Sequence, residues 1–388
     1  MKVQAANVHL IQKMNRSKVL SFIRKNPWTT RSEIAYETGL SLASITNLTS
    51  YLISNGLLKE VGMEDANRVG RKRTLLKFNS EGFRLICVMV YDETANIFIT
   101  DLEGNVFSNE CVSITDITQT RSINALLDAL KNALEKSGKE ITLGIGVFIS
   151  GMILSKKNLA LSSSHKIKDL DVKTLVENAT GIPAFVENLS VIRAQSYVYN
   201  EDVSRVDNII FVDMDNGIGA VQCSNGKVNR SILGEIGHTT VNPDGEECFC
   251  GNKGCLEVMC SAKRIISLYN SCSDSKCNNI EEISHKLSED DPNANKALAE
   301  CARYLGIGFA NLINLFYPSA LVINRAGFSR CRAIFDEAVC EMKMRAYPAL
   351  LQDLTITELD VSEEDTVRGA AFEMCERIFD ISYENSII

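Results

Sequence analysis

No run of about 18 apolar residues occurs in this 388-residue chain, so no membrane-spanning helix is expected. The opening stretch, MKVQAANVHLIQKMNRSK, is too polar for a secretory signal. No segment repeats at a fixed period and no low-complexity tract separates one part from another, which argues against solenoids and flexible linkers. Without a secretion signal, the 13 cysteines are not expected to form a disulfide framework. They point to a reducing, cytoplasmic setting in which thiols stay free or bind metal. Most of them, such as Cys87 and Cys301, read as small core residues.

The chain does contain an ordinary globular composition, 45% apolar and 23% charged, at a length that predicts two or three domains. It also contains a marked charge asymmetry. Residues 1–80 carry 13 Lys and Arg against 5 Asp and Glu, a net of +8, while the whole chain is −8, so the remainder is −16. A basic first fifth on an acidic body suggests a nucleic-acid-binding module joined to something that does not bind nucleic acid.

Local patterns in that first fifth support this. Residues 7–26 place apolar side chains at helical spacing, with Ser17 available to cap a second half. Thr30 to Glu33 has the form of a capping box opening a short helix that ends at Gly39. Ser41 caps a third helix that ends before Gly56. Helix, Gly-containing turn, helix is the helix-turn-helix arrangement. Ile45, Leu48, Leu52 and Ile53 form the buried face of the third helix. Ala43, Ser44, Thr46 and Asn47, with Ser41 at its start, face outward and have the size and polarity to enter a major groove. Strands at 57–61 and 74–78 flank a wing whose basic residues Arg68, Arg71, Lys72 and Arg73 suit phosphates or the minor groove. Arg31, at the start of the second helix, is a further candidate contact.

The densest chemistry lies between Gly234 and Glu257, GEIGHTTVNPDGEECFCGNKGCLE. His238, Cys248, Cys250 and Cys255 make a three-thiolate, one-imidazole set suited to a closed, tetrahedral Zn²⁺ site of the structural kind. Gly245, Gly251 and Gly254 permit the tight turns that bring them together.

E-x-G-H followed by C-x-C-G-x-x-G-C-x-E resembles the ROK family of sugar kinases and sugar-responsive repressors. The resemblance implies a zinc loop bracing a sugar pocket, with Glu235, His238 and Glu257 at positions that contact sugar hydroxyls. One ring nitrogen of His238 can ligate metal while the other faces the sugar. The winged helix-turn-helix, with Asn15-Arg16 before it, resembles the repressor branch, most nearly the xylose repressors. The fold expected is therefore α/β: an N-terminal winged helix-turn-helix plus a two-lobed, actin-like (ribonuclease H-like) sugar-kinase fold. Expected domains are 1–80, the DNA-binding head; 81–200, the first lobe, joined by a C-terminal helix at 367–388; and 201–366, the second lobe with the zinc loop and a dimerisation surface.

The remaining pattern fits that frame. Strands are expected at 83–91, 96–101, from 106 onward, 141–149 and 184–187, with helices at 122–137 and 172–180. After Asp207, strands at 208–213, 220–223, 320–324 and 354–359 mix with helices at 261–271, 278–288, 293–316, 330–347 and 368–383. Ser271 to Asn279 reads as the likeliest mobile loop.

Kinases of the family need phosphate-cradling Gly-rich turns and an Asp to take the sugar hydroxyl's proton. Here the first turn reads Met89-Val90-Tyr91-Asp92-Glu93, with no glycine and two carboxylates where phosphates would sit. The family pattern V-E-N-D-A reads V-E-N-L-S, so Leu189 holds the catalytic position. The second turn, Asp215 to Ala220, keeps only part of its glycines, and the adenosine-side Gly pair reads Asn324-Arg325. No catalytic residue and no enzyme activity are expected.

The sugar half survives in Asn188, Glu235, Glu257 and His238, with Gly146 and Gly151 allowing a ring to approach closely. His165 and Lys166 lie in a loop within reach of that pocket. Bracing of the zinc loop through backbone amides is the alternative role for Glu235 and Glu257.

The function expected is a sugar-responsive repressor of carbohydrate-use genes. Its partners would be a double-stranded DNA operator and a sugar or sugar-phosphate effector, and it would act as a homodimer or homotetramer. The competing readings are a ROK-type sugar kinase with an unusual site, and a repressor that answers to a protein partner instead of a sugar.

Overall fold

The structure, a computed structural model, describes residues 2–63, 73–91, 93–114, 120–154, 159–162, 167–201, 206–215, 217–328 and 331–380. Arg68, Arg71, Lys72, Asp92, His165, Lys166 and Asn216 lie outside the described residues.

The chain opens with α1 (Lys2–Lys25), β1 (Thr29–Thr30), α2 (Arg31–Thr38) and α3 (Leu42–Ser54), then β2 (Leu58–Met63) and β3 (Thr74–Phe78). Helix α1 runs unbroken through Ser17, so the expected division there does not occur. Its buried residues Val19, Leu20 and Ile23 continue one apolar stripe along the helix, which keeps it whole. The capping box of α2 forms as expected: Thr30 accepts from the Glu33 amide and Glu33 reaches back to the Thr30 amide. Gly39 closes α2 in the left-handed region at φ 71°.

The backbone amide of Thr30, joined by the Thr29 and Thr30 hydroxyls, holds the Glu33 carboxyl below the usual carboxylate range. A carboxyl lowered in the folded state stabilises above its unfolded pKa and loses that contribution as pH falls through its folded value. Thr30→Ala is expected to cost about 1 kcal/mol in urea unfolding at pH 7. The cost should shrink as Glu33 protonates in acid; a cost independent of pH would separate Glu33 from the cap.

Strand β1 pairs with β3, and β3 with β2, giving a small antiparallel sheet of order β1-β3-β2 against the three helices. The two-residue strand β1 was not legible in the sequence.

The first lobe holds β4 (Arg84–Val90), β5 (Thr94–Thr100), β6 (Val106–Ser113), α4 (Thr120–Ser137), β7 (Thr142–Ile149), β8 (Met152–Leu154), β9 (Leu159–Ser162), β10 (Ile167–Asp171), α5 (Val172–Thr180) and β11 (Ala184–Asn188). Its main sheet has the order β11-β7-β4-β5-β6, with β11 and β4 parallel to β7 and the rest antiparallel. The small β10-β9-β8 sheet was not expected. Helix α6 (Leu189–Asn200), also not expected, leaves the end of β11 and crosses to the second lobe. Asn188 is its N-cap, accepting from the Ser190 amide at 2.7 Å.

The second lobe follows with β12 (Ile209–Met214), β13 (Ile218–Ser224), β14 (Lys227–Gly234), α7 (Leu256–Cys260), α8 (Ala262–Cys272), α9 (Ile280–Ser288), α10 (Pro292–Phe316), β15 (Ala320–Asn324), α11 (Ala333–Arg345) and β16 (Thr355–Leu359). Its sheet has the order β14-β13-β12-β15-β16, matching the first lobe's pattern of antiparallel hairpins beside parallel strands. Hydrogen bonds organise the Ser271–Asn279 segment. Asn270 exchanges two hydrogen bonds with the Cys277 backbone, each 2.8 Å, and Lys276 donates to the Ser273 carbonyl at 2.8 Å.

The last helix, α12 (Glu363–Phe379), returns to pack on the first lobe. Its Val367, Met374, Cys375, Ile378 and Phe379 share one apolar cluster with Phe148 and Phe185 of the first lobe and with Val19, Ile23, Leu76 and Phe78 at the N-terminal end. Among the described residues no helix is long and apolar enough to cross a membrane.

Candidate functional site

Three places collect the residues expected to act. The first is the outer face of α3. Its inner face buries Ile45, Thr49 and Leu52, and the amphipathic spacing leaves Ser41, Ala43, Ser44, Thr46 and Asn47 all exposed on the other side. Ser41 caps the helix, accepting from the Ser44 amide at 3.2 Å, so the helix start is held while its outer side chains stay free of the core. Arg73 is exposed at the start of β3. The Arg31 guanidinium donates to Thr49 at 3.0 Å and pairs with Glu60 at 2.8 Å, bracing α2 to α3 and β2.

The second place is the loop between β14 and α7. The ligand atoms of His238, Cys248, Cys250 and Cys255 all lie within 4.8 Å of one another. Cys248 Sγ is 3.6 Å from His238 Nδ1, and Cys250 Sγ is 3.7 Å from Cys255 Sγ. The edges of a tetrahedron of Zn–S and Zn–N bonds are about 3.8 Å and about 3.6 Å, so the donor set fits a tetrahedral cation. The loop backbone fixes this geometry. The Cys248 amide bonds the Asn252 carbonyl at 2.8 Å, Gly254 bonds Glu246 at 2.8 Å, and Leu256 bonds Thr239 at 2.9 Å. Gly254 is required: at φ +63° an added Cβ would lie 1.5 Å from the Asn242 carbonyl oxygen.

Burial pushes the Cys248 thiol up and Cys255 up to about 12. Burial also acts to raise Cys250, but hydrogen bonds from the Asn252 backbone and the neighbouring thiols outweigh it and its pKa falls. Three thiols this close cannot all ionise without a cation among them.

The third place lies where the lobes meet. Glu257, the residue after the first turn of α7 begins, accepts from the Ile218 amide at 3.2 Å. A Cβ on Gly237 would come within 3.0 Å of the same carboxylate and 2.6 Å of the Ile218 carbonyl oxygen. Glu257 thus braces the β12–β13 turn beside the Cys₃His loop, whereas Glu235 is exposed. On the other side of that turn, a Cβ on Gly219 would lie 2.8 Å from Ser190 Oγ, so the start of α6 sits against it. The Asn188 side chain donates to the Gly151 carbonyl and caps α6, joining β11 to the end of β7. Gly146 does not serve ring access: Phe148 and Met374 fill the space its Cβ would take, at 2.4 and 2.7 Å. Leu189 is buried at the head of α6, with no carboxylate in its place.

A network that the sequence reading missed fills the cleft beside Leu189. Arg193, 5% exposed, donates to Asp213 at 2.9 Å and to Asp215. Asp213 also accepts from Ser190 Oγ at 2.7 Å and from Asn324 Nδ2 at 2.6 Å. Burial raises the Tyr91 phenol to about 12 against the opposing pull of the Arg193 charge. Burial likewise raises the Asp215 carboxyl, which Arg193 partly offsets. Tyr91 follows β4 in the first lobe, while Asp213 lies in β12 and Asp215 follows it in the second, so the guanidinium on α6 is held by the second lobe. The acidic pair was readable as D-x-D at 213–215, but its partner on an unanticipated helix was not.

Beyond this network, Arg325 occupies the other expected nucleotide position and pairs with Asp360 at 3.2 Å and Glu358 at 3.6 Å.

A family model described as "ROK family" matches residues 85–374. The xylose repressor of Bacillus spizizenii is 24% identical over 97% of this chain and 98% of its own length. The DNA-binding transcriptional dual regulator NagC of Escherichia coli is 27% identical over 83% of this chain and 82% of its own. A solved ROK family transcriptional regulator, a homologue of the E. coli MLC protein, superposes with a TM-score of 0.80 at 25% identity, covering 94% of this chain and 96% of that one. A ROK glucokinase from Streptomyces griseus shares the fold at a TM-score of 0.59 and 21% identity, over 74% of this chain and 98% of its own. A family model matched over most of the length leads to one conclusion: the chain belongs to the ROK family.

Proposed function

We propose that this chain is a sugar-responsive transcriptional repressor in which a DNA-reading head, residues 1–80, is governed by a kinase-like body that carries out no phosphoryl transfer. The body divides into a first lobe, 81–200 joined by the C-terminal segment 367–388, and a second lobe, 201–366. The observation that carries this is the bare outer face of α3, set on a helix-turn-helix in the most basic part of an otherwise acidic chain. A relative named as a xylose repressor and a solved transcriptional regulator match over nearly the whole chain, head as well as body.

Three features support loss of catalysis. Leu189 cannot accept a proton, Arg193 neutralises the carboxylates of the second phosphate turn from within, and Arg325 fills the adenosine side. The cleft keeps Asn188, Glu257 and the Cys₃His loop, so it retains groups able to bind hydroxyls and the framework to hold them. We infer that the loop holds structural Zn²⁺, that the effector is a sugar or sugar phosphate, and that two heads of a homodimer or homotetramer read a double-stranded operator.

A duplex selected by the protein from a random pool tests the reading. Ser44→Ala and Asn47→Ala are each expected to weaken binding by about 1–3 kcal/mol and to relax preference at one base pair. Neutralising Arg71 and Lys72 should weaken all duplexes and flatten the salt dependence. Selection of no duplex, or ATP consumption that depends on a hexose, would overturn the proposal. A panel of sugars and sugar phosphates read by thermal unfolding tests the effector, since a ligand at 100 times its Kd adds about 2.7 kcal/mol.

A further inference from the structure

We propose that α12 couples the interlobe cleft to the DNA-reading head, with Arg377, Glu376 and Arg24 as its positioning residues. The proposal rests on the repressor reading above and adds the route by which the body acts on the head.

At the cleft end, Glu187 immediately precedes Asn188, and its carboxylate accepts from the Asn188 amide at 3.0 Å. The other oxygen of Glu187 pairs with Arg377 of α12, whose Nε also donates to Glu373 at 2.6 Å. These side chains are only 8%, 12% and 1% exposed, respectively. Separating opposite charges in so dry a setting is costly, so Arg377 must follow the tip of β11 when that tip moves. A seventeen-residue helix carries such a displacement along its whole length.

At the head end, Glu376, the neighbour of Arg377, holds Arg24 of α1 at 2.9 Å. The Arg24 guanidinium is 10% exposed and lies within 5.7 Å of the Phe78 ring, 5.2 Å of Phe372 and 5.9 Å of Phe379. Phe78 ends β3, and it meets Phe379 edge to face at 6.0 Å. One cation from the head is therefore boxed by two aromatic rings and one carboxylate of α12 and by a ring of the wing sheet. Helix α1 and strand β3 are clamped to the same end of the helix whose next residue grips the effector cleft. A cavity of about 740 Å³ beside this clamp, lined in part by Lys77, Tyr199 and Arg368, leaves the head room to shift.

The test is a double-mutant cycle on the full chain with Glu187→Gln, Arg24→Met and their combination. The probe is a duplex selected by the wild type, read by fluorescence anisotropy, with hydrogen exchange of the α3 amides as a second readout. Glu187→Gln is expected to change duplex affinity and α3 exchange by about fivefold or more. In the Arg24→Met background the same change should fall below about twofold, the limit of simple additivity. Equal effects in both backgrounds, or no effect of Glu187→Gln, would overturn the coupling. Should Glu187→Gln fail to fold, Arg377→Lys replaces it, with the same comparison deciding. Failure to select any duplex would defeat the repressor reading alone, because α3 exchange still scores the coupling without DNA.

Discussion

Cys250→Ser is expected to strip the metal from the protein and to lower its unfolding free energy by about 3 kcal/mol or more, the range for losing a structural metal or an equivalent cross-link. Cys250 is the exposed member of the ligand set, so the serine itself creates no cavity and the loss reports on the metal. The loop from Thr239 to Cys255 has little apolar core of its own. It is held by two isolated bridges, Thr240 to Cys255 and Glu247 to Lys253, by turn hydrogen bonds and by the proposed ion. Releasing the ion frees Cys255, the residue that precedes α7, and with it Glu257 on the Ile218 amide. The damage should therefore spread to the cleft and abolish any thermal stabilisation by sugars. Metal analysis of the purified protein together with urea unfolding checks this. A variant without metal that keeps wild-type stability would show that the loop folds on its hydrogen bonds alone.

The convergence of the Cys₃His loop, the third helix and most strands were legible because their signals are local. Cysteine spacing, a capping box at Thr30 and strict alternation each depend on a few neighbouring residues. The helix-turn-helix emerged with its caps at Thr30, Ser41 and Gly39 intact. What stayed hidden depends on the fold. Helix α6 begins with Leu189-Ser190-Val191-Ile192, a run that periodicity alone reads equally well as the continuation of a strand. It becomes a helix because Asn188 caps it and Val191, Ile192 and Ala194 are buried.

The role of Arg193 was hidden with α6, since its partners lie about 20 residues away on a different sheet. Gly146 was misassigned for the opposite reason. It belongs to a plausible motif, but Phe148 and Met374 claim the space at the glycine.

Arg193→Met should be the most damaging single change in the cleft. It removes the cation that Asp213 and Asp215 share and leaves their carboxylates facing each other at the end of β12. Removing one side of a buried ion pair costs about 3–5 kcal/mol, because the charge left behind is uncompensated. The side chain is nearly water-free, so solvent offers little relief.

The effect has a defined pH dependence. Asp215 already lies above the usual carboxylate range through burial, and Arg193 is what holds it down. Without Arg193 the carboxyl rises further, so the folded variant takes up a proton that the unfolded chain releases. A carboxyl raised in the folded state favours folding below its unfolded pKa and loses that contribution as pH rises through the folded value. The stability gap between wild type and Arg193→Met should therefore be widest near pH 7 to 8 and narrow as pH falls toward 4. Arg193→Lys restores the charge but not the two-pronged geometry, and should recover only part of the loss. Urea unfolding of the three proteins across that pH range provides the measurement. A gap that stays constant with pH would mean that Arg193 contributes packing rather than charge, and would remove the argument that an internal cation has taken over the phosphate turn.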